Sequence, residues 1–296
     1  MVNPYIFKGR ELSMLKAEEI KEKISNTIIL AGSTFRQDKI AAYQRAIAEE
    51  KNENSKWVLE TILENALAAE KAKSPLCDDT GIPHVFIEIG KNRSMTGEML
   101  EIIMEGIEDG LEKLPGRPMA ICGNDSERIS QAGRLSPNPG AVLPAPYLIK
   151  QVEEDVLRVH IIMQGGGPAI RATTYRVFHK HSVDVVAEEI ISRASEAVKQ
   201  LGCTPCTLAV GVGRSHFEAA SLMMEAQVYG TYDRQNELEK KITDGVNKGD
   251  IGPLGLGGKS VLATFLKVGP QRASGVRIVC IRPCCCFEPR ISSVEL

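Results

Sequence analysis

Downstream of Ser74 the chain switches repeatedly between a two-residue and a near four-residue hydrophobic period, which restricts it to folds in which helices cover a sheet. HVFIEI at 84–89 alternates like a half-buried strand, VLRVHIIMQ at 156–164 runs directly into three glycines, and TLAVGVG at 207–213 is a third short apolar run. Set among them, VDVVAEEIISRASEAVKQLG reads as a helix closed by Gly202, and SHFEAASLMMEAQVYG reads as another. The first 75 residues carry the helical period alone. Ile20, Ile24, Ile28, Ile29 and Leu30 form one apolar face and KIAAYQRAIAEEK repeats the pattern. Val58, Ile62, Leu63, Ala66 and Ala69 form a third face, with Asn54 or Ser55 as the expected N-cap. The expected fold class is mixed α/β: a helical segment over 1–75 followed by a two-lobed α/β part over 76–296, with no internal repeat or long polar linker to cut it further.

At 296 residues the chain is long enough to bury a large core without staples. Its 36 basic and 38 acidic residues leave a net charge of −2, which removes the electrostatic case for nucleic acid or an anionic membrane as the main partner. No apolar run approaches the roughly 18 residues of a membrane span. MVNPYIFKGRELSML lacks an apolar stretch followed by a cleavage site, so a cytoplasmic chain is expected.

The eight cysteines are Cys77, Cys122, Cys203, Cys206, Cys280, Cys284, Cys285 and Cys286. Three in succession cannot pair easily as disulfides, so they read as buried small hydrophobes, metal ligands or redox groups. Cys122, with no partner nearby in sequence, reads as a buried hydrophobe.

Four turns could carry chemistry. Cys77-Asp78-Asp79-Thr80-Gly81 sets a soft thiolate beside two carboxylates, suited to a metal and an acid–base group, or else it is an Asp-rich turn at a strand entry. Cys203-Thr204-Pro205-Cys206 is half of a zinc site or a redox pair, and 280–286 could supply further thiolates. The stretch from Ile251 through Pro253 to Lys259 and Ser260 imitates a phosphate loop, but Pro253 stands where that motif needs glycine. It suits a small carboxylate held by backbone amides and one lysine. Gln164-Gly165-Gly166-Gly167-Pro168 lets backbone approach a ligand closely, or is a tight turn after a strand. His84, His160, His179, His181 and His216 have no metal-ligand spacing beyond one H-x-H and are expected to be ordinary surface or core residues.

Taken in order, PLCDDTG, Arg128-Ile-Ser-Gln131, QGGGP, GCTP, IGPLGLGGKS and Cys286-Phe-Glu-Pro-Arg290 resemble the motifs of the class I iron–sulfur hydro-lyases, the α subunits of fumarate hydratase and L-tartrate dehydratase. The resemblance runs from about residue 15 to the end. It implies a [4Fe–4S] cluster on Cys77, Cys203 and Cys286 with one iron open as a Lewis acid. It also implies Asp79 as the acid–base group, Arg128 as a carboxylate clamp, the amides of Gly165, Gly166 and Gly167 against the substrate, and Lys259 as a charged contact. The substrate implied is a small 2-hydroxy dicarboxylate of the fumarate/malate or tartrate type. Because single-chain members carry a further C-terminal domain, the resemblance implies a separate β subunit in an αβ or α2β2 assembly. Asp78 stands where the family has glutamine, adding a carboxylate that disfavours a dianionic substrate unless it is paired or protonated. The alternative is a zinc-stabilised interaction protein using Cys203, Cys206 and the 280–286 cysteines.

Overall fold

A computed structural model describes residues 4–296, with side chains from 16 onward. Residues 1–3, within the expected helical segment, lie outside the described residues. In chain order the elements are α1 (Pro4–Ser33), α2 (Gln37–Glu49), α3 (Glu53–Ala72), β1 (Ile82–Gly90), α4 (Gly97–Lys113), α5 (Asp125–Ser130), β2 (Leu148–Val152), β3 (Leu157–Gln164) and α6 (Gly166–Ala169). They continue with β4 (Thr173–Phe178), α7 (Val183–Leu201), β5 (Cys206–Gly213), α8 (His216–Tyr229), α9 (Glu237–Asn247), β6 (Val261–Val268), β7 (Val276–Cys284) and β8 (Arg290–Glu295). The mixed α/β class is as the sequence predicts. The N-cap of α3 differs: Asn52 Oδ1 accepts from the amides of Asn54 and Ser55 at 3.0 and 3.3 Å, a reach those two residues cannot supply for themselves.

The described residues form two compact units, one of residues 4–33, 72–163 and 291–296, the other of 34–71 and 164–290. The helical first quarter is therefore divided between them.

In the first unit the sheet order is β2-β1-β3-β8, with β1 and β2 parallel. Alternation along β1 and β3 sends Val85, Ile87, Val159, Ile161 and Met163 into one core with Ile20, Ile24 and Ile28 of α1 and Ile103, Ile107 and Leu111 of α4. Each fully buried Ile or Leu contributes about 1.5–3 kcal/mol. The two helices meet closely because α4 offers glycines: a Cβ on Gly106 or Gly110 would lie 2.7 or 2.6 Å from the Cβ of Ile24 or Ile28. The other face of the sheet carries charge. His160 Nε2 lies 3.1 Å from Glu88 Oε2, Arg158 reaches the same carboxylate at 2.8 Å, and Ser293 Oγ lies 2.7 Å from His160 Nδ1. Burial holds the His160 imidazole below its ordinary value, the Glu88 carboxylate partly offsetting it.

In the second unit the sheet order is β4-β7-β5-β6, antiparallel except for β5 with β6. Every residue of β5 is buried, as a central strand covered on both faces requires. Cys206, Leu208, Val210 and Val212 pack with Ile190, Ala194 and Val198 of α7 and Ile242 and Val246 of α9. Towards α8 lies Gly211, where a Cβ would come within 2.0 Å of the Ala219 carbonyl oxygen. The helix backbone thus rests directly on the strand. No helix among the described residues is long and apolar enough to cross a membrane.

Candidate active site

In the second unit α7 stops at Leu201 because Gly202 takes φ 78°, and Cys203 follows in an exposed turn. That turn is tied to the glycine loop after α9. Thr204 Oγ1 donates to the Gly252 carbonyl at 2.6 Å, Leu254 N donates to Thr204 O at 3.3 Å, and Cys206 N donates to Ser260 O at 2.9 Å. The loop folds onto itself so tightly that a Cβ on Gly252 would lie 1.6 Å from the Gly257 carbonyl oxygen.

Past the end of β7, the chain returns to the same turn: Cys286 N donates to Cys203 O at 2.9 Å. Two thiol-bearing residues 83 positions apart in sequence are thereby set side by side (286 less 203). The neighbouring thiols have other work. Cys284 is buried with Sγ 3.6 Å from Gln227 Oε1, and burial pushes its thiol well up. The thiols of Cys285 and Cys286 share a hydrogen bond that lowers Cys285 and raises Cys286, so the pair releases one proton readily and the second reluctantly. Cys206 lies in the apolar core and Cys280 is buried on β7, so Cys203-x-x-Cys206 does not present two exposed thiols together.

Buried charge holds this end of β7. Glu288 is 1% exposed and its carboxylate meets Arg282 Nη2 at 2.9 Å, Arg290 Nη2 at 3.6 Å and the Gly165 amide at 2.5 Å. Arg282 Nη2 also donates to the Gly165 carbonyl at 3.1 Å. The first glycine amide of the 165–167 run is therefore committed to Glu288. Gly166 and Gly167 open the short α6, and the Cβ direction of Gly167 points into open space. From α2, Tyr43 Oη donates to Cys286 O and Lys39 Nζ to Glu288 O, both at 2.8 Å. Burial draws the Lys39 ammonium down to about 8, the nearby Cys285, Cys286 and Cys284 thiols and Glu288 pulling the other way.

In the first unit, Cys77 and Asp79 are half-buried in the turn that leads into β1. Thr80 anchors the turn, its amide donating to Asp78 O at 3.0 Å and its hydroxyl accepting from Arg117 N at 2.9 Å. Asp78 is paired, its Oδ2 lying 3.1 Å from Arg117 Nη1. The chain leaving Arg117 makes a hairpin-like excursion, closed by Cys122 N to Arg134 O at 2.9 Å and tipped by α5. Asn124 and Glu127 form a capping box on α5, where Arg128 is exposed and paired with Asp125. Cys122 is exposed on this excursion. This corrects the expectation of a buried hydrophobe; the polar, solvated excursion offers it no core to enter.

The profile of the fumarate hydratase (Fumerase) family matches residues 21–294. This chain belongs to that family. It is a hydro-lyase. "Putative L(+)-tartrate dehydratase subunit alpha" of Methanocaldococcus jannaschii is 27% identical over 253 residues, 81% of this chain and 86% of that relative. L(+)-tartrate dehydratase subunit alpha of Escherichia coli (strain K12) and of Shigella boydii serotype 4 are each 22% identical over 272 residues, 90% of this chain and 88% of theirs.

Within this hydro-lyase the second unit brings Cys203, Cys286 and Gly165 together through Glu288, Arg282 and the Cys286–Cys203 backbone bond. It does not add Lys259, whose ammonium lies 2.6 Å from Glu49 Oε2. Cys77, Asp79 and Arg128 belong to the other unit, and among the described residues no group of three or more His, Cys, Asp or Glu side chains converges on one metal position. The donor chemistry of Cys203 and Cys286 fits an iron–sulfur centre: two soft thiols on residues joined by a backbone bond, one of them exposed. Sequence reading missed Lys39, Tyr43, Arg282 and Glu288. For Lys39 a signal was present, since it shares the 39, 42, 43, 46 stripe with Ala42, Tyr43 and Ala46, where a lysine is out of place. For Glu288 the only signal was its position within the Cys286–Arg290 motif.

Proposed function

We infer that the chain is the cluster-bearing α-type subunit of a hydro-lyase that adds water to, or removes it from, a small 2-hydroxy dicarboxylate of the fumarate/malate or tartrate type. Its [4Fe–4S] cluster would be held by Cys77, Cys203 and Cys286. The observation that supports this reading is the Cys286 N to Cys203 O bond, which sets the backbones of two of the three cysteines side by side and favours Cys286 over Cys284, engaged with Gln227. When bound, the cluster supplies an open iron that polarises the substrate hydroxyl and carboxylate.

The chain's own residues supply the rest. Asp79 serves as the substrate-facing acid–base group, with the opposing base supplied by the β subunit. Arg128 clamps a substrate carboxylate by giving up Asp125, an exchange of one exposed ion pair for another that costs little. Asp78 is held by Arg117, which supports accommodation of a doubly charged substrate beside it. Gly166 and Gly167 allow close backbone approach, whereas the Gly165 amide orients Glu288 instead of substrate. Lys259 keeps its assigned substrate contact on the resemblance alone, and would have to leave Glu49 to make it. The "subunit alpha" names of the relatives support a separate β subunit that completes the site. A cytoplasmic location belongs to the same reading.

The test is Asp79→Asn in the anaerobically reconstituted chain, assayed with its companion subunit on malate and L-tartrate. Iron content should stay at the wild-type level while turnover falls at least about a hundredfold. Retained turnover would remove Asp79 from the acid–base role, and full activity of the chain alone would remove the β subunit.

A further inference from the structure

Lys39 is a charge in the second unit that its protein surroundings account for poorly. Its side chain is 1% exposed, and Nζ sits 4.3 Å over the Phe35 ring. Its one hydrogen bond among the described residues goes to a neutral acceptor, the Glu288 carbonyl at 2.8 Å. The Glu288 carboxylate is engaged with Arg282, Arg290 and the Gly165 amide. No carboxylate of a described residue lies within 4 Å of the Lys39 ammonium. A buried ammonium with a single carbonyl and an aromatic face recovers only part of its lost hydration.

The backbone that Lys39 meets is the end of the cysteine run: its acceptor, the Glu288 carbonyl, stands two residues past Cys286. One helical turn on, Tyr43 donates to Cys286 O. Helix α2 therefore lays a hydroxyl and a cation on the backbone between residues 286 and 288, a spacing that follows from i and i+4 lying on one helix face. Three thiolates around a [4Fe–4S]2+ core leave a net charge of −1, which a buried positive charge that is not itself a ligand would offset. A lysine suits that task better than an arginine, since it is a compact point charge without a fork of donors to satisfy.

We propose that Lys39 is the built-in counter-ion of the cluster carried by Cys286 and Cys203, balancing its negative charge and raising its reduction potential. The assignment rests on the cluster reading given above. Net charge and nearby donors are among the main determinants of an iron–sulfur potential, so removing this cation has a defined sign.

The test uses the full chain, wild type, Lys39→Met and Lys39→Arg, each in metal-free and anaerobically reconstituted form. Iron and sulfide per chain, thermal unfolding of both forms, and a spectroscopic redox titration with dithionite are measured. In Lys39→Met the ratio of reduced to oxidised cluster at a fixed potential should fall at least tenfold, about 59 mV for a one-electron couple, or the iron should be lost. The metal-free variant should melt no lower than metal-free wild type, because a buried uncompensated charge has been removed, and Lys39→Arg, which keeps the cation, should hold more reduced cluster at that potential than Lys39→Met. Wild-type iron content and potential in Lys39→Met would overturn the proposal. So would a metal-free Lys39→Met chain that melts well below wild type or does not fold, since the lysine is then a structural prop. A wild-type chain that takes up no iron would instead overturn the cluster reading itself.

Discussion

The two units hold their chemical residues in opposite ways. In the second, Cys203 and Cys286 are fixed by backbone bonds and by groups removed from water, Lys39, Tyr43, Arg282 and Glu288. In the first, Cys77, Asp79 and Arg128 sit on a turn and an excursion held by exposed ion pairs, Asp78 with Arg117 and Arg128 with Asp125. On the proposed function the second unit preorganises two of the three cluster thiols, the third, Cys77, standing in the first unit, whereas Arg128, to take hold of a substrate carboxylate, must release one partner to accept another. Buried pairs cannot do that cheaply; exposed ones can.

The contrast breaks most visibly at Glu288. Glu288→Ala strands two buried guanidinium groups and the Gly165 amide, and should cost about 3–5 kcal/mol in denaturant unfolding of the metal-free chain; a loss below about 1 kcal/mol would mean the buried network does not hold the cysteine end. Tyr43→Phe removes one buried hydroxyl and leaves the Cys286 carbonyl short of a donor, for an expected loss of about 1–2 kcal/mol by the same measurement. On the other side, Arg117→Ala should change stability by no more than about 0.5–1 kcal/mol. On the proposed function its effect belongs in KM, which should rise with kcat nearly unchanged as the charge of Asp78 loses its partner. The smallest effect tests the exception in the first unit, the buried His160 beside Glu88. The folded state lowers the pKa of His160 below 6.5, so the unfolded chain binds its proton first and this contribution to stability falls as pH drops below about 6.5. Thermal unfolding at pH 5.5 and 7.5 should show a shallower dependence in His160→Gln than in wild type.

Much of this was legible in the sequence, and the boundary is physical. The helices and strands with clean periods stand where their patterns put them: α7 ends on Gly202, and the buried run of β5 matches TLAVGVG. The strand β7 was hidden because RIVCIRPC carries a proline, two arginines and two cysteines, and the burial of Arg282 within it rests on a partner outside the strand, Glu288. The division into units was not legible either, since each draws segments from distant parts of the chain, and α1 separates from α2 within one helical stretch. At the candidate site, local motifs marked the cysteines and glycines. The partner of each came from tertiary packing: Glu49 for Lys259, the Glu288 carboxylate for Gly165, and the Glu288 carbonyl for Lys39. Exposure of Cys122 was missed because a lone cysteine carries no local signal for whether a core lies nearby.

The claim on which the rest depends is that Cys203 and Cys286 ligate the same iron–sulfur centre together with Cys77. Iron and acid-labile sulfide per chain, measured after anaerobic reconstitution of wild type and of single Cys→Ser variants at 77, 203, 284, 285 and 286, test it directly. The account predicts four iron per wild-type chain, loss of bound iron at 77, 203 and 286, and near-wild-type content at 284 and 285. A colourless wild-type chain, or full iron content in the Cys203→Ser or Cys286→Ser variant, would contradict it.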